Sequence, residues 1–264
     1  MIYSSYTPLI LLVTIATLLR ISGHDWSLEY AFHPDEPRII LGVWKAYWGE
    51  SISESDYGML PMQIIAAAWK IYGLFDASFA ASPTTGEKML IAMRIARLCA
   101  AAVSVLGITV LYISCLRRYG LRFAIIAATM LSLCPLGLQL SHFITVDNFL
   151  ITFTVFALIS IVDFAENQNI KNSIISGAWV GTCLSTKLSS IPLLGAGLLI
   201  IAASQFEWKP TRLNWKKVLQ YSLFFVSTSA LVFILVHPDS IRFRSFFMID
   251  RTDPYWWNWG SPQI

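Results

Sequence analysis

The sequence predicts an all-α fold: a polytopic bundle of transmembrane helices, with about seven passes and shorter juxtamembrane helices in the first outer loop. Three observations carry this. Of 264 residues, 56% are hydrophobic and only 13% are charged, and the mean hydropathy of +0.60 is far from that of a soluble domain. The apolar residues gather into runs near the roughly 20 residues that a helix needs to cross a bilayer core of about 30 Å. The basic residues form short clusters between those runs, as topology signals do. With a net charge of +3, that distribution gives no surface for a nucleic-acid partner.

Taken in order, residues 2–21 form the first pass. No basic residue precedes them and no small-residue cleavage site follows, so they read as a retained anchor with the N-terminus inside. The first outer loop, 23–89, is polar and Trp-rich. Within it, 39–48 and 59–75 are apolar enough to form helices. Making 59–75 a full pass would turn the basic linker Arg117-Arg118-Tyr119-Gly120-Leu121-Arg122 outward, so both stretches read as juxtamembrane helices, with Trp69, Lys70 and Tyr72 as interfacial anchors. Passes over 90–116, 123–140 and 149–162 follow. The apolar run 174–206 would measure about 50 Å as one helix, too long for one upright pass and short for two. Charge decides it: a single crossing would leave Lys209, Arg212, Lys216 and Lys217 outside, so two short helices turning at 186–190 are expected. A last pass, 218–236, delivers 237–264 to the outer side.

On this topology every carboxylate except Asp163, Glu166 and Glu207, and all four histidines, fall on the outer side. Acidic residues contribute little to orientation, so their accumulation points to an extracytoplasmic reaction chamber. Its centre is Phe32-His33-Pro34-Asp35-Glu36-Pro37, where the prolines disfavour helix at the residues before them and are expected to present both acids from a stiff turn. His142, Asp147, Lys187, His237 and Asp239 fall at the same membrane level, and Arg94 and Arg97 open the second pass. Carboxylates serve as a general base for a hydroxyl or as hard ligands for a divalent cation, while Lys and Arg hold a phosphate. Each residue also has a structural reading. Asp147 suits an N-cap, Lys187 and the arginines suit interfacial snorkelling, and His142 and His237 suit satisfied interfacial histidines. The four cysteines, widely spaced in apolar segments, read as small buried hydrophobes. An interfacial belt explains most tryptophans; Tyr255-Trp256-Trp257-Asn258-Trp259 stands apart as a possible sugar-stacking cluster.

Five pieces then line up: His33-Pro34-Asp35-Glu36, Tyr57-Gly58-Met59-Leu60-Pro61, Arg97-Leu98, Ser141-His142-Phe143 through Asp147, and Gly181-Thr182-Cys183-Leu184-Ser185-Thr186-Lys187. In this order and at these depths they resemble the GT-C superfamily of membrane glycosyltransferases, specifically the family 39-like group with the protein O-mannosyltransferases and the lipid A aminoarabinose transferase. The resemblance covers nearly the whole chain. It implies a GT-C bundle that takes a sugar from a polyprenyl-phosphate donor, dolichyl- or undecaprenyl-phosphate, to a hydroxyl of a protein, lipid or glycan. The reaction would lie on the extracytoplasmic side of the plasma (inner) membrane. Asp35 is implied as the general base, with Glu36 supporting it or binding a cation. Asp147 would orient the acceptor or the base, Arg97 and Lys187 would hold the leaving phosphate, and His33, His142 and Trp257 would contact acceptor or sugar. The resemblance settles no cofactor, and a divalent cation at Glu36 and His33 stays open. Relatives carry further passes, so 1–264 is expected to be the N-terminal part of the module, with 237–264 the cut start of a later outer loop. The alternative class is a transporter or lipid-binding membrane protein without transferase activity. A transporter places charge near the midplane on broken helices and often shows internal repeats; here the charges sit at the rim and no repeat is evident.

Overall fold

The computed structural model describes residues 2–26, 28, 33–50, 58–208 and 211–238, with backbone alone for 2–5, 207–208 and 211–213. In chain order the helices are α1 (Ile2–Ile21), α2 (Asp35–Trp48), α3 (Met59–Gly73), α4 (Ala77–Ala81), α5 (Glu87–Tyr119), α6 (Leu121–Ser132), α7 (Pro135–Leu140), α8 (Val146–Glu166), α9 (Ile170–Thr186), α10 (Ile191–Ser204) and α11 (Trp215–Val236). A small antiparallel hairpin, β1 (Phe206–Trp208) with β2 (Thr211–Leu213), precedes α11. Among the described residues, α5, α8 and α11 are long and apolar enough to cross a membrane, and Tyr6–Ile21, Leu121–Ser132 and Leu188–Ser204 are shorter apolar helices. The fold is the expected all-α membrane bundle.

The expected break in the long apolar run is present. α9 ends at Thr186, a 3-10 turn occupies Leu188–Ser190, and α10 starts at Ile191 with Pro192 in its first turn. The two juxtamembrane helices are present as α2 and α3, and they pack on each other. Three local expectations are corrected. The stretch 123–140 is not one helix: Pro135 lacks the N–H that would continue the ladder, Cys134 turns to φ −58°, ψ 116°, and α7 restarts with Pro135 at its first position. Asp35 and Glu36 do not lie on a separate turn but open α2, with Pro34 as N-cap; Pro37 fits the first turn because its missing N–H would have no helical partner there. Trp69 is not an interfacial anchor. It is fully buried, packs edge-on against Phe79 and donates its indole N–H to Ala92 O at 3.0 Å. Helix α4 and the hairpin had no clear signal in the sequence pattern.

The core runs from α2 and α3 through α5 and α8 to α9 and α11. The α9–α11 seam is built from small and hydroxylated residues. A Cβ at Gly177 would stand 2.3 Å from Phe225 O, Ser173 Oγ donates to Tyr221 O at 2.7 Å, and Ser229 Oγ donates to Gly177 O at 2.9 Å. Such close backbone approach is how helices associate where lipid removes the hydrophobic driving force. On the other flank, α1 packs on α5 and α6 around Ala16, Ile108, Tyr112, Ala124 and Ala128. Arg20 of α1 is buried here. It donates to Ser104 Oγ at 2.8 Å and, at 3.3–3.4 Å, to Ser132 O, a carbonyl at the end of α6. A neighbouring side chain thereby satisfies part of what the helix break leaves open.

Candidate active site

Helix α2 starts where two chemically different acids fall side by side. Glu36 is 0% exposed and Arg97, in the third turn of α5, is 1% exposed. They meet in a fork: Arg97 Nε donates to Oε1 and Nη2 to Oε2, each at 2.9 Å. Ile144 N–H adds a third bond to Oε1 at 3.0 Å, and Arg97 Nη1 donates to the carbonyls of His24 and Trp26, both at 2.8 Å. The guanidinium also lies 5.7 Å from the Phe143 ring centroid. One ion pair therefore binds the turn after α1, the start of α2, helix α5 and the loop before α8. Bidentate geometry with further hydrogen bonds is what makes a fully buried pair tolerable, since the charges have lost their water.

Asp35, one residue earlier, keeps 22% of its side chain exposed. Its N–H donates to His33 Nδ1 at 3.2 Å, and the His33 ring lies 5.3 Å from that of Phe143. Because Nδ1 accepts that bond, the His33 hydrogen sits on Nε2 in the neutral ring. His33 thus serves as a turn partner for the start of α2.

The second pair follows at once along the chain. Three residues after Ile144, Asp147 in the first turn of α8 takes Lys187 Nζ at 2.7 Å, with 34% and 29% of the two side chains exposed. Asp147 is not the N-cap it might have been read as; that place belongs to Thr145, which frees the carboxylate to face α9. Lys187 caps the other end of the contact in extended conformation, φ −162°, ψ 128°, where α9 stops. Two neighbours of this pair in sequence, Thr145 Oγ1 and Ser185 Oγ, are buried without a hydrogen-bond partner among the described residues.

The remaining expected site residues fall elsewhere. His142 ties α7 to the end of α1, with Nδ1 2.9 Å from Leu138 O and Nε2 2.9 Å from Ser22 O. Arg94 pairs with Asp25 at 2.8 Å on the surface. Trp257 and its aromatic neighbours, Asp239, Phe32 and Tyr57 lie outside the described residues, as does the rest of 239–264. A cation site at Glu36 and His33 does not fit the donors. Both Glu36 oxygens are taken by Arg97, His33 Nδ1 is taken by the Asp35 amide, and no group of three or more His, Cys, Asp or Glu that could hold a metal forms among the described residues.

The family described as dolichyl-phosphate-mannose-protein mannosyltransferase matches residues 91–239, more than half of the chain. The chain belongs to this family. The match takes in Arg97, Asp147, Lys187 and His237 but begins after the Asp35-Glu36 pair. Two solved structures extend the likeness in fold to 92% of the chain. One is the S. cerevisiae protein O-mannosyltransferase Pmt1-Pmt2 complex bound to the sugar donor, with a TM-score of 0.61 and 16% identity. The other is ArnT from Cupriavidus metallidurans bound to undecaprenyl phosphate, with a TM-score of 0.58 and 20% identity. The chain spans 34% and 43% of those two chains, respectively. No curated protein matches it. Both likenesses are to GT-C glycosyltransferases, so the family member has the GT-C fold that its motifs resemble.

The charged residues of these two pairs are legible in the sequence as types, but their pairing is not. The Glu36–Arg97 contact bridges 61 positions and the Asp147–Lys187 contact 40. No local spacing encodes either. The one available signal is chemical: an acid and a base that must both enter a low-dielectric interior are expected to enter it together.

Proposed function

We propose that this chain carries the donor end of a lipid-carrier-dependent glycosyltransferase, which moves a sugar from a polyprenyl-phosphate to a hydroxyl at the extracytoplasmic face of the plasma (inner) membrane, across about seven passes. Family membership supports the reaction class, and two proteins of like fold were solved with a sugar donor and with undecaprenyl phosphate. The observation that carries the reading is the contrast between adjacent acids. Glu36 is buried with both oxygens on Arg97, while Asp35, at the mouth of the same helix and 3.9 Å from His33 Nδ1, keeps 22% of its side chain exposed.

Asp35 is the general base. It takes the proton of the acceptor hydroxyl as that oxygen attacks the anomeric carbon. The bond from that carbon to the phosphate oxygen breaks, and its electron pair stays with the phosphate. Lys187 supplies the compensating positive charge, and Asp147 aims the ammonium group when no phosphate is bound. Arg97, expected to share the phosphate, instead fixes the start of α2 through Glu36.

The test is transfer of labelled sugar from a polyprenyl-phosphate-linked donor in membranes containing the full-length protein. Asp35→Asn should cut kcat by about 10²- to 10⁴-fold, the usual contribution of a positioned base, without changing the unfolding midpoint. Equal transfer by the variant and wild type would remove Asp35 from that role.

A further inference from the structure

Besides its packing on α5, the start of α3 meets the ends of α9 and α11. Gly58 N–H donates to Thr186 O at 2.9 Å, and a Cβ on Gly58 would stand 1.9 Å from Ser185 O, so a residue without a side chain lets α3 come this close. One residue on, Met59 N–H points at His237 Nε2, 3.3 Å away, and the same nitrogen is 3.3 Å from Ser185 O. Gln63 Nε2 donates to Val236 O at 3.1 Å. The start of α3, the end of α9 and the end of α11 thus close around one imidazole, which is 8% exposed and stacks on Phe233 at 4.8 Å.

The ring nitrogen relates differently to its two neighbours. It accepts from Met59 only without a hydrogen of its own, and it donates to Ser185 only with one. Burial pushes His237 below its usual value of 6.5, with the Ser185 carbonyl pulling the other way. At neutral pH the ring is therefore uncharged, and in the tautomer with its hydrogen on Nδ1 it holds the Met59 amide.

What it holds is the base of the Lys187 tip. Lys187 lies two residues beyond Ser185, its N–H bonds back to Cys183 O at 3.0 Å, and its carbonyl accepts Ser190 N–H at 3.1 Å and Ser190 Oγ at 2.8 Å. The tip is a compact turn, and α3 anchors it from the loop side through Ser185 and Thr186. We propose that His237 is a positioning residue: by locking the start of α3 onto the ends of α9 and α11, it fixes where Lys187 stands opposite Asp147. This rests on the reading of Lys187 as the donor-phosphate contact. It gives the first outer loop a mechanical link to the donor site that passes through the last described helix.

The test compares His237→Phe, which keeps the ring stack and loses the nitrogen, with His237→Gln, which returns a neutral acceptor at similar reach. In hydrogen–deuterium exchange on the folded full-length protein, His237→Phe should raise exchange about tenfold in 58–63 and 185–190 and leave α5 and α8 unchanged, while His237→Gln stays within about threefold of wild type. In the transfer assay, donor KM should rise about 5- to 10-fold in His237→Phe, more than kcat falls, and His237→Gln should restore it. Unchanged exchange in His237→Phe overturns the link. Raised exchange with unchanged kinetics, in a protein where Lys187→Met depresses transfer, overturns the positioning role. If Lys187→Met itself transfers normally, the reading of the site falls, and exchange at 185–190 alone decides whether His237 holds the tip.

Discussion

The two ion pairs at this end of the bundle share a loop and differ in almost every other respect. Glu36–Arg97 is 0% and 1% exposed, bidentate, and surrounded by three further backbone contacts. Asp147–Lys187 meets at 2.7 Å with about a third of each side chain open to solvent. A buried pair that has lost its water is stable only while both partners stay, so it suits a joint that never opens. A half-open pair keeps part of its hydration, gains less from its partner, and can exchange that partner for a phosphate. The difference fits Glu36–Arg97 to architecture and supports the proposal that Asp147–Lys187 serves the chemistry, although the sequence offers four charged residues of equal promise.

The sharpest way to break that contrast is Arg97→Ala. It leaves Glu36 charged and unpaired where no water reaches, a loss of about 3–5 kcal/mol in comparable buried pairs. The variant should fail to fold into extractable monodisperse protein, and transfer should vanish with it. The double change Glu36→Gln with Arg97→Met removes both charges and should recover much of the folded yield, because replacing a whole buried pair is far milder than halving it. Thermal unfolding in detergent checks both. A stable, active Arg97→Ala protein would mean that the pair is not a joint at all.

Lys187→Met probes the other side of the comparison. Stability should change little, by no more than about 1 kcal/mol for a pair this exposed. Transfer should fall about 10- to 100-fold, the value of one charge-assisted hydrogen bond to a phosphate, with a higher donor KM. Asp147→Asn should be milder than Lys187→Met, since the amide still accepts from the ammonium group. If Lys187→Met instead unfolds the protein and leaves surviving activity normal, the two pairs have been assigned the wrong way round.

Much of the frame was legible because hydropathy and charge are additive along a chain. The bounds of α1 and the turn after Thr186 follow from the length of apolar runs and from where Lys209 to Lys217 must lie. The break at Pro135 was visible as a residue, yet a run of apolar neighbours masked it in a hydropathy count. Trp69 was misplaced for a related reason: an interfacial and a core tryptophan look alike until the partner, here Ala92 O and the Phe79 ring, is known. The site was legible as a set of residue types at one membrane level. Its wiring was not, because Arg97 satisfies a phosphate and a buried glutamate with the same fork, and only the fold says which one lies within reach.

The smallest expected effect extends the comparison to a third pair. Arg94, three residues before Arg97 on α5, donates to Asp25 at 2.8 Å, but the two side chains are 50% and 52% exposed. Distance is as short as in the buried fork, so distance alone would predict an equal loss. Exposure predicts otherwise: water and salt screen the attraction, and such pairs contribute about 0–1 kcal/mol at most. Arg94→Gln should shift the unfolding midpoint by no more than about 2 °C. Transfer should stay within about twofold of wild type, and the small difference should shrink further at an ionic strength of about 1 M, where the screening length falls to about 3 Å. A loss comparable to that of Arg97→Ala would show that burial is not what separates the pairs, and the division between joint and chemistry would have to be drawn on the hydrogen bonds from Ile144, His24 and Trp26 alone.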